Sequence, residues 1–112
     1  MALKSTGFHD AVSYKIVEDA SITAASAHTN VTTAPGRLFS VQVDNTSSGS
    51  IVYVKIFDGA SPTVGTSVPQ LVLKCEALKK HTYQIPYGIA FTELSFWATS
   101  NARQTGTQSA PA

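Results

Sequence analysis

The chain has 112 residues, of which 43% are hydrophobic and only 13% are charged, and its formal net charge is +1. This length fits one domain with a modest core, and the scattered Lys and Arg residues form no basic stripe that would neutralise the phosphates of a nucleic acid. Cys75 is the only cysteine, which excludes an internal disulfide framework and a multi-cysteine metal site. No apolar run reaches signal-peptide or transmembrane length, so we expect a protein made in a cytoplasm that does not enter a membrane.

The N-terminal third of the chain carries the weakest patterns. Residues 1–11 mix small, polar and single apolar residues without a period, which predicts an extended arm that orders on contact with a partner. Clean alternation over residues 12–17 predicts a half-buried strand. Residues 20–27 are rich in alanine but also in Ser and Thr, so we interpret them as a loop or an irregular strand and not as a helix.

The clearest amphipathic strand covers residues 37–45. Phe39, Val41 and Val43 lie on one side of the predicted strand, and polar residues lie on the other. Residues 44–49 have side chains that bond their own backbone and tolerate turn geometry. We therefore expect an antiparallel hairpin between this strand and the strand that follows.

The strand that follows, residues 51–57, is apolar on both faces. Val52, Val54 and Ile56 alternate with Tyr53, Lys55 and Phe57, and successive side chains of a strand point to opposite faces of the sheet. One face can fill a core. The other face needs a second partner.

The remainder of the chain continues as strands and turns. Four Gly and Pro residues break the stretch 59–69 into a loop, and residues 70–76 resume as a strand. Residues 79–81 mark a turn, after which Tyr83, Ile85, Tyr87 and Ile89 continue with a period of two, and the last strand covers residues 94–99. The sequence thus predicts an all-β fold, a single antiparallel β-sandwich or jelly roll over residues 12–100, followed by a flexible, mobile C-terminal tail over residues 101–112.

Residues suited to chemistry are sparse. His9, His28 and His81 share no local metal-ligand spacing, so we interpret them as surface or turn histidines. Asp44, Asn45 and Asp58 could offer oxygens to Ca²⁺, but an Asx turn is the simpler interpretation. We expect no cofactor and no metal.

Catalytic motifs are also missing from the sequence. Cys75 alternates with Leu71 and Leu73, so the three side chains share one face of the predicted strand. This indicates a small core residue and not a nucleophile. The chain contains no nucleophile elbow, no phosphate-binding loop and no dinucleotide fingerprint. We expect a protein that is not an enzyme.

Aromatic residues at strand positions that face away from the predicted core are the main indication of an interaction surface. Tyr53 and Phe57 flank Lys55 on the second face of the central strand, and Trp97 has the polar parity of the last strand. Aromatic side chains are enriched at interface cores because they desolvate a large area with few rotors to freeze. We therefore predict self-association through Tyr53, Lys55, Phe57 and Trp97, with packing under loops of the same subunit as the open alternative.

Three segments resemble a group of small virion proteins of tailed bacteriophages. They are VKIFD at residues 54–58, PTVGTSVP at 62–69 and YGIAF at 87–91. In that group a strand ends in Lys-aliphatic-aromatic-Asp, a Pro-Thr-Val-Gly-Thr loop follows, and a Gly-Ile-Ala-Phe turn comes late. The resemblance covers residues 37–99. It implies a virion structural protein, most simply a capsid decoration (cement) protein, and carries no catalytic mechanism.

This resemblance sets the expected partners. They are the major capsid protein or other virion proteins, and further copies of the chain as a homo-oligomer, with a trimer favoured; nucleic acid and membrane are not expected, and the protein would reside in the virion. Within the arm, the residues expected to contact the capsid are Leu3, Lys4, Phe8 and His9. The alternative is a tail or fibre module for host recognition, in which exposed Tyr53, Trp97 or Tyr87 stack on sugars.

Overall fold

The computed structural model describes residues 3–6, 16–19, 27–29 and 31–111 of the chain. These residues form strands joined by turns and loops, and every strand pair that they form is antiparallel. The fold is therefore all-β, as the alternating patterns predict. The strands are β1 (Leu3–Thr6), β2 (Ile16–Asp19), β3 (Gly36–Asp44), β4 (Val52–Asp58), β5 (Leu71–Cys75), β6 (Lys80–Phe91) and β7 (Leu94–Thr99).

The strands are arranged in three sheets. A central sheet has the order β5-β4-β7, β3 pairs with β6 as a two-stranded ribbon, and β1 pairs with β2. The predicted hairpin between the strands now called β3 and β4 is wrong, because β3 pairs with β6 and β4 pairs with β5 and β7. The turn after β3 instead carries the chain from the ribbon to the central sheet.

The core lies between the central sheet and the β3-β6 ribbon. Val54 and Ile56 on β4 and Ala98 on β7 are buried, and register pairs Val54 with Ala98. Half-buried Val41 and Val43 of β3 pack against this cluster. Burial of these apolar surfaces stabilises the packing of the central sheet against the ribbon by roughly 25 cal/mol per Å² of apolar surface removed from water.

A bulge interrupts the ribbon and changes which side chains face out. Leu38 pairs with Ile89 and Ser40 pairs with Gln84, so residue 39 lies opposite residues 85–88 of β6. Extra residues in one strand shift the alternation of side chains from that point onward. The alternation of β3 also breaks at this irregularity, since Leu38 and Val41 both pack against the core, whereas Phe39, predicted on the same side as Val41, is 53% exposed.

Asn45 joins two turns at one end of the sheets. Its side chain is buried and donates hydrogen bonds to the carbonyls of Ser50 (2.7 Å) and Glu76 (3.0 Å). Its own N–H donates to the carbonyl of Lys79 at 2.9 Å. A buried amide with these partners satisfies carbonyls that neither sheet can pair.

The N-terminal part of the described chain differs from the expected arm. Residues 3–6 form β1, paired residue by residue with β2, whereas the sequence predicts an extended arm there. The strand predicted at residues 12–17 overlaps β2 only at its end, and residues 12–15 lie outside the described part of the chain.

A side-chain pair connects β2 to the central sheet. His28 Nε2 lies 2.6 Å from Asp19 Oδ2, and the ring of His28 packs beside Phe96 of β7 with centroids 4.9 Å apart. Backbone bonds between His28 and Phe96 hold this segment along the edge of β7. The neighbourhood of His28 is thus a structural contact within the chain.

In the described residues we find no helical segment with the length and apolar character of a membrane span.

Candidate interaction surfaces

The four residues predicted to mediate self-association share one face of the central sheet. Lys55 of β4 is paired in register with Trp97 of β7, and directly paired residues point to the same side. Tyr53 and Phe57 have the same parity on β4, and the Phe57 and Trp97 rings lie 6.1 Å apart between centroids. We call this surface, formed by Tyr53, Lys55, Phe57 and Trp97, the outer face.

The outer face is covered by the chain itself. Lys55 is 0% exposed and Trp97 is 1% exposed, while Tyr53 and Phe57 are half-buried. The cover is the part of the chain that follows β7, residues 100–111, which we call the C-terminal segment. The outer face therefore has a partner within the same chain, which was the open alternative to an interface.

Lys55 is the main polar connection between the outer face and the C-terminal segment. Its Nζ donates to Asn101 Oδ1 at 3.4 Å, to the carbonyl of Arg103 and to Gln108 Oε1. A lysine ammonium has three donors, so these three oxygens satisfy it. Such partners are required because a buried ammonium without them would be very costly.

The charge of Lys55 is not balanced by a carboxylate among these partners. Removal from water lowers the pKa of Lys55, since burial disfavours the charged form. The dipoles of the neutral oxygens replace part of the hydration that the Lys55 ammonium loses on burial. The position of Lys55 thus depends on the C-terminal segment, and the segment depends on Lys55.

Further hydrogen bonds shape the C-terminal segment. Its two ends meet where the N–H of Ser100 donates to the carbonyl of Ser109 at 2.9 Å. The N–H of Gly106 donates to the carbonyl of Gly65 at 2.8 Å, which attaches the segment to the loop between β4 and β5. Gly65 has φ of +94°, and a Cβ there would lie 2.8 Å from the Gly106 oxygen, so only glycine fits this approach.

These contacts bear on two expectations. The C-terminal segment, predicted as a mobile tail, lies over the outer face, where oxygens of Asn101, Arg103 and Gln108 are hydrogen-bond partners of Lys55, and its mobility stays a prediction. Lys55 and Trp97 present no surface to another molecule in this conformation, because the chain buries them completely. The composition of the C-terminal segment did not predict that it covers the outer face, because the segment binds through polar atoms and lacks large apolar residues.

A second surface is exposed and apolar. Tyr87 is 88% exposed, Phe39 is 53% exposed and Ile89 is 37% exposed. The Phe39 ring lies over Gly88, since a Cβ built on Gly88 would be 2.9 Å from Phe39 Cε1. We call Phe39, Tyr87 and Ile89 the ribbon patch; exposed apolar patches of this kind mark interaction sites.

The bulge of β6 holds the ribbon patch in place. Gly88 has φ of +71°, and Arg37 donates from Nε to the carbonyl of Tyr87 (3.0 Å) and from Nη2 to the carbonyl of Gly88 (3.2 Å). The patch therefore sits on a backbone whose carbonyls are bonded. Sequence reasoning put Tyr87 on the same face as Tyr83, but Pro86 and Gly88 inside a strand pattern are signals of a bulge.

The segments that resemble virion proteins have structural roles. Asp58, at the end of VKIFD, accepts hydrogen bonds at Oδ1 from the N–H groups of Thr92 (2.9 Å) and Glu93 (3.0 Å). These bonds hold the pKa of Asp58 below its usual value, since they favour the carboxylate. Asp58 thus closes the turn between β6 and β7.

The predicted capsid-contact arm is only partly described. Leu3 and Lys4 lie in β1, while Phe8 and His9 lie outside the described residues. Contact of these four residues with a capsid stays a prediction.

Candidate metal ligands stay apart in the described part of the chain. Among them, no three His, Cys, Asp or Glu side chains converge as ligands for a metal ion. Asp44 forms the predicted Asx turn, accepting from the N–H (3.0 Å) and hydroxyl (2.6 Å) of Thr46.

Cys75 is 0% exposed, and burial raises the pKa of its thiol. Because thiolate is the reactive form, we expect a disulfide reagent to modify Cys75 roughly 100-fold more slowly in the folded protein than in denaturant. Timed thiol titration with and without denaturant measures this ratio. Equal rates in the two conditions would show an accessible, reactive thiol instead.

Comparisons with protein-family models, with curated proteins and with solved structures find no match to this chain. The resemblance to small virion proteins therefore rests on the three quoted segments, and any function drawn from it is a hypothesis.

Proposed function

We propose that the chain is a non-enzymatic structural protein of a tailed-phage virion, a capsid decoration (cement) protein that binds and stabilises the shell of the major capsid protein. In this proposal the central sheet and the ribbon form a β-sandwich, and the ribbon patch contacts the shell. The observation that carries the proposal is the ribbon patch itself, with Tyr87 88% exposed beside half-exposed Phe39. Two of its three residues, Tyr87 and Ile89, lie in the YGIAF segment that resembles virion proteins.

The patch suits binding to a large, regular partner. Aromatic side chains with few rotors are the usual anchors of interfaces, and water exclusion around them makes them energetically dominant. Weak contacts at each site are multiplied when one bound module touches several neighbouring shell subunits. A small module can thus reinforce a shell that is under outward pressure from packaged DNA.

Copy number and patch variants test this proposal. Quantitative mass spectrometry of purified particles should find hundreds of copies per virion, as a cement protein requires. Tyr87→Ala combined with Phe39→Ser should lower the affinity for undecorated shells at least about 30-fold, since truncating an interface hot spot costs about 2 kcal/mol or more. The matched control is Val68→Ser, which alters an apolar residue that is 54% exposed in the loop between β4 and β5 and does not belong to the patch.

Absence of the chain from purified particles, or equal shell affinity of the patch and control variants, would overturn the cement proposal. A few copies at one vertex would point to the tail or fibre module instead.

That second candidate, a module that binds host carbohydrate, has one observation in its favour. Of the three aromatic residues considered for stacking on sugars, Trp97 is buried and Tyr53 is half-buried, whereas Tyr87 is almost fully exposed. A glycan array separates the candidates. A carbohydrate module should bind a defined glycan and lose it on Tyr87→Ala, and a cement protein should ignore all glycans.

A further inference from the structure

We propose that the outer face is an acceptor site for an extended, oxygen-rich segment, filled in an isolated chain by its own C-terminal segment and in an assembly by the C-terminal segment of a second copy. The inference rests on the proposed function, because a many-copy shell is what would bring the chains close enough together in the virion. It also gives the predicted self-association residues a role that agrees with their burial.

The chemistry of the site defines what fits it. Lys55 sits between aromatic neighbours at the centre of the face and directs its ammonium toward the cover. A fitting segment must present three acceptors to it, and residues 101–108 do so with two side-chain amides and one backbone carbonyl. The one segment shown to match this pattern belongs to the chain itself, so a second copy is the partner that supplies it.

The C-terminal segment is suited to exchange. Residues 102–107 are exposed although the face beneath them is buried. Its bonds to the rest of the chain are polar, and every one of them can be remade by the same segment from another copy. Exchange of an identical element between protomers is a low-cost route to oligomers for this reason.

The closed arrangement also leaves a buried donor of the outer face unpaired. The indole Nε1 of Trp97 has no hydrogen-bond acceptor within the described residues, although Trp97 is 1% exposed. Buried donors are almost always paired in folded proteins. A segment entering from a second copy is free of the short link to β7 at Ser100, so it can keep its three acceptors on Lys55 and let a neighbouring residue bring an oxygen to this N–H.

Concentration decides between the two arrangements. A segment linked to its own face acts at an effective concentration of about millimolar, so isolated chains at low concentration stay closed. On an ordered shell, neighbouring copies reach a similar local concentration. Head-to-tail exchange of this kind can close into a ring, which is compatible with the predicted trimer.

Two full-length variants test the exchange by complementation. Lys55→Met damages the outer face and keeps the C-terminal segment, whereas Asn101→Ala with Gln108→Ala damages the segment and keeps the face. Each protein, and an equal mixture, is unfolded and refolded at about millimolar concentration and analysed by native mass spectrometry. We expect oligomers of the wild type, at least tenfold fewer for either variant alone, and recovery as mixed oligomers when the two variants are refolded together.

Lys74→Met is the matched control, because it removes an exposed lysine from β5 and should oligomerise like the wild type. The emission of Trp97, the chain's only tryptophan, verifies that each variant has folded. The inference is overturned by a wild type that stays monomeric, by a Lys55→Met variant that oligomerises normally, or by a mixture without mixed oligomers.

These failures are separable from failure of the proposed function. A chain that exchanges segments but is absent from virions would overturn the cement proposal alone. A chain abundant on virions that never exchanges segments would overturn this inference alone.

Discussion

Replacing Trp97 with Ala should destabilise the isolated chain by about 3–5 kcal/mol, the usual cost of truncating a buried aromatic residue. Trp97 is 1% exposed, contacts Phe57, and is paired in register with Lys55, which bonds the C-terminal segment. The loss of its contacts leaves a cavity that the surrounding sheet cannot fill completely. Thermal unfolding should show a melting temperature lowered by more than about 10 °C.

Tyr87→Ala provides the matched control, because it removes an aromatic side chain that is 88% exposed. Its unfolding free energy should stay within about 0.5 kcal/mol of the wild type. At concentrations far below about millimolar, where the chain is closed, the Trp97→Ala effect should not depend on protein concentration if the residue is part of the fold of one chain. An effect that grows with concentration, or none at all, would instead place Trp97 in a contact between chains.

Replacing Lys55 with Met should release the C-terminal segment while the sheets stay folded. The substitution keeps the length of the side chain but removes all three donors to the segment, and each lost bond to a charged group is worth about 1.5–3 kcal/mol in other proteins. Met is apolar and fits a buried site, so the central sheet should keep its stability. We expect the open population of the segment to rise about 30-fold, equivalent to about 2 kcal/mol.

Trypsin cleavage after Arg103 measures the opening directly. The carbonyl of Arg103 accepts a hydrogen bond from Lys55, so the peptide bond that trypsin attacks is held in the closed segment. Cleavage tracks the open population when opening and closing are fast. Lys74→Met is the control, because it also removes one tryptic site. Identical rates of cleavage after Arg103 in the two variants would contradict a role of Lys55 in holding the segment closed.

The same substitution has a pH signature. Burial lowers the pKa of Lys55, so in the alkaline range between the folded pKa and the usual value of 10.5 the unfolded chain binds more protons than the folded chain. The unfolding free energy of the wild type should therefore rise with pH across that range. Lys55→Met should lack this rise in denaturant titrations at increasing pH.

Strand positions were predictable where alternation is uninterrupted. The last strand was predicted at residues 94–99 and β7 spans Leu94–Thr99, and the apolar residues of β4 divide between its two faces as expected. This success has a local cause, since a period of two is a property of the backbone of each strand. The need for a cover over the second face was visible for the same reason.

Pairing and side-chain direction were less predictable. The expected β3-β4 hairpin is absent, because the strand that pairs with β3 depends on which apolar faces meet in the folded chain. The direction of Tyr87 was missed because a bulge shifts every later side chain, and the pattern of apolar residues continues across it. In both cases the deciding contacts join residues that are distant in sequence.

Alternation of residue types along several segments was sufficient to predict an all-β chain, with a central strand that is apolar on both faces. Which atoms cover the second side was decided by the three-dimensional arrangement, in which Lys55 binds oxygens of residues 101, 103 and 108. No pattern in the polar C-terminal segment predicts that it covers the second face of β4. Hydrogen-bond acceptors are present in every residue, and only their convergence on a buried ammonium makes these three specific.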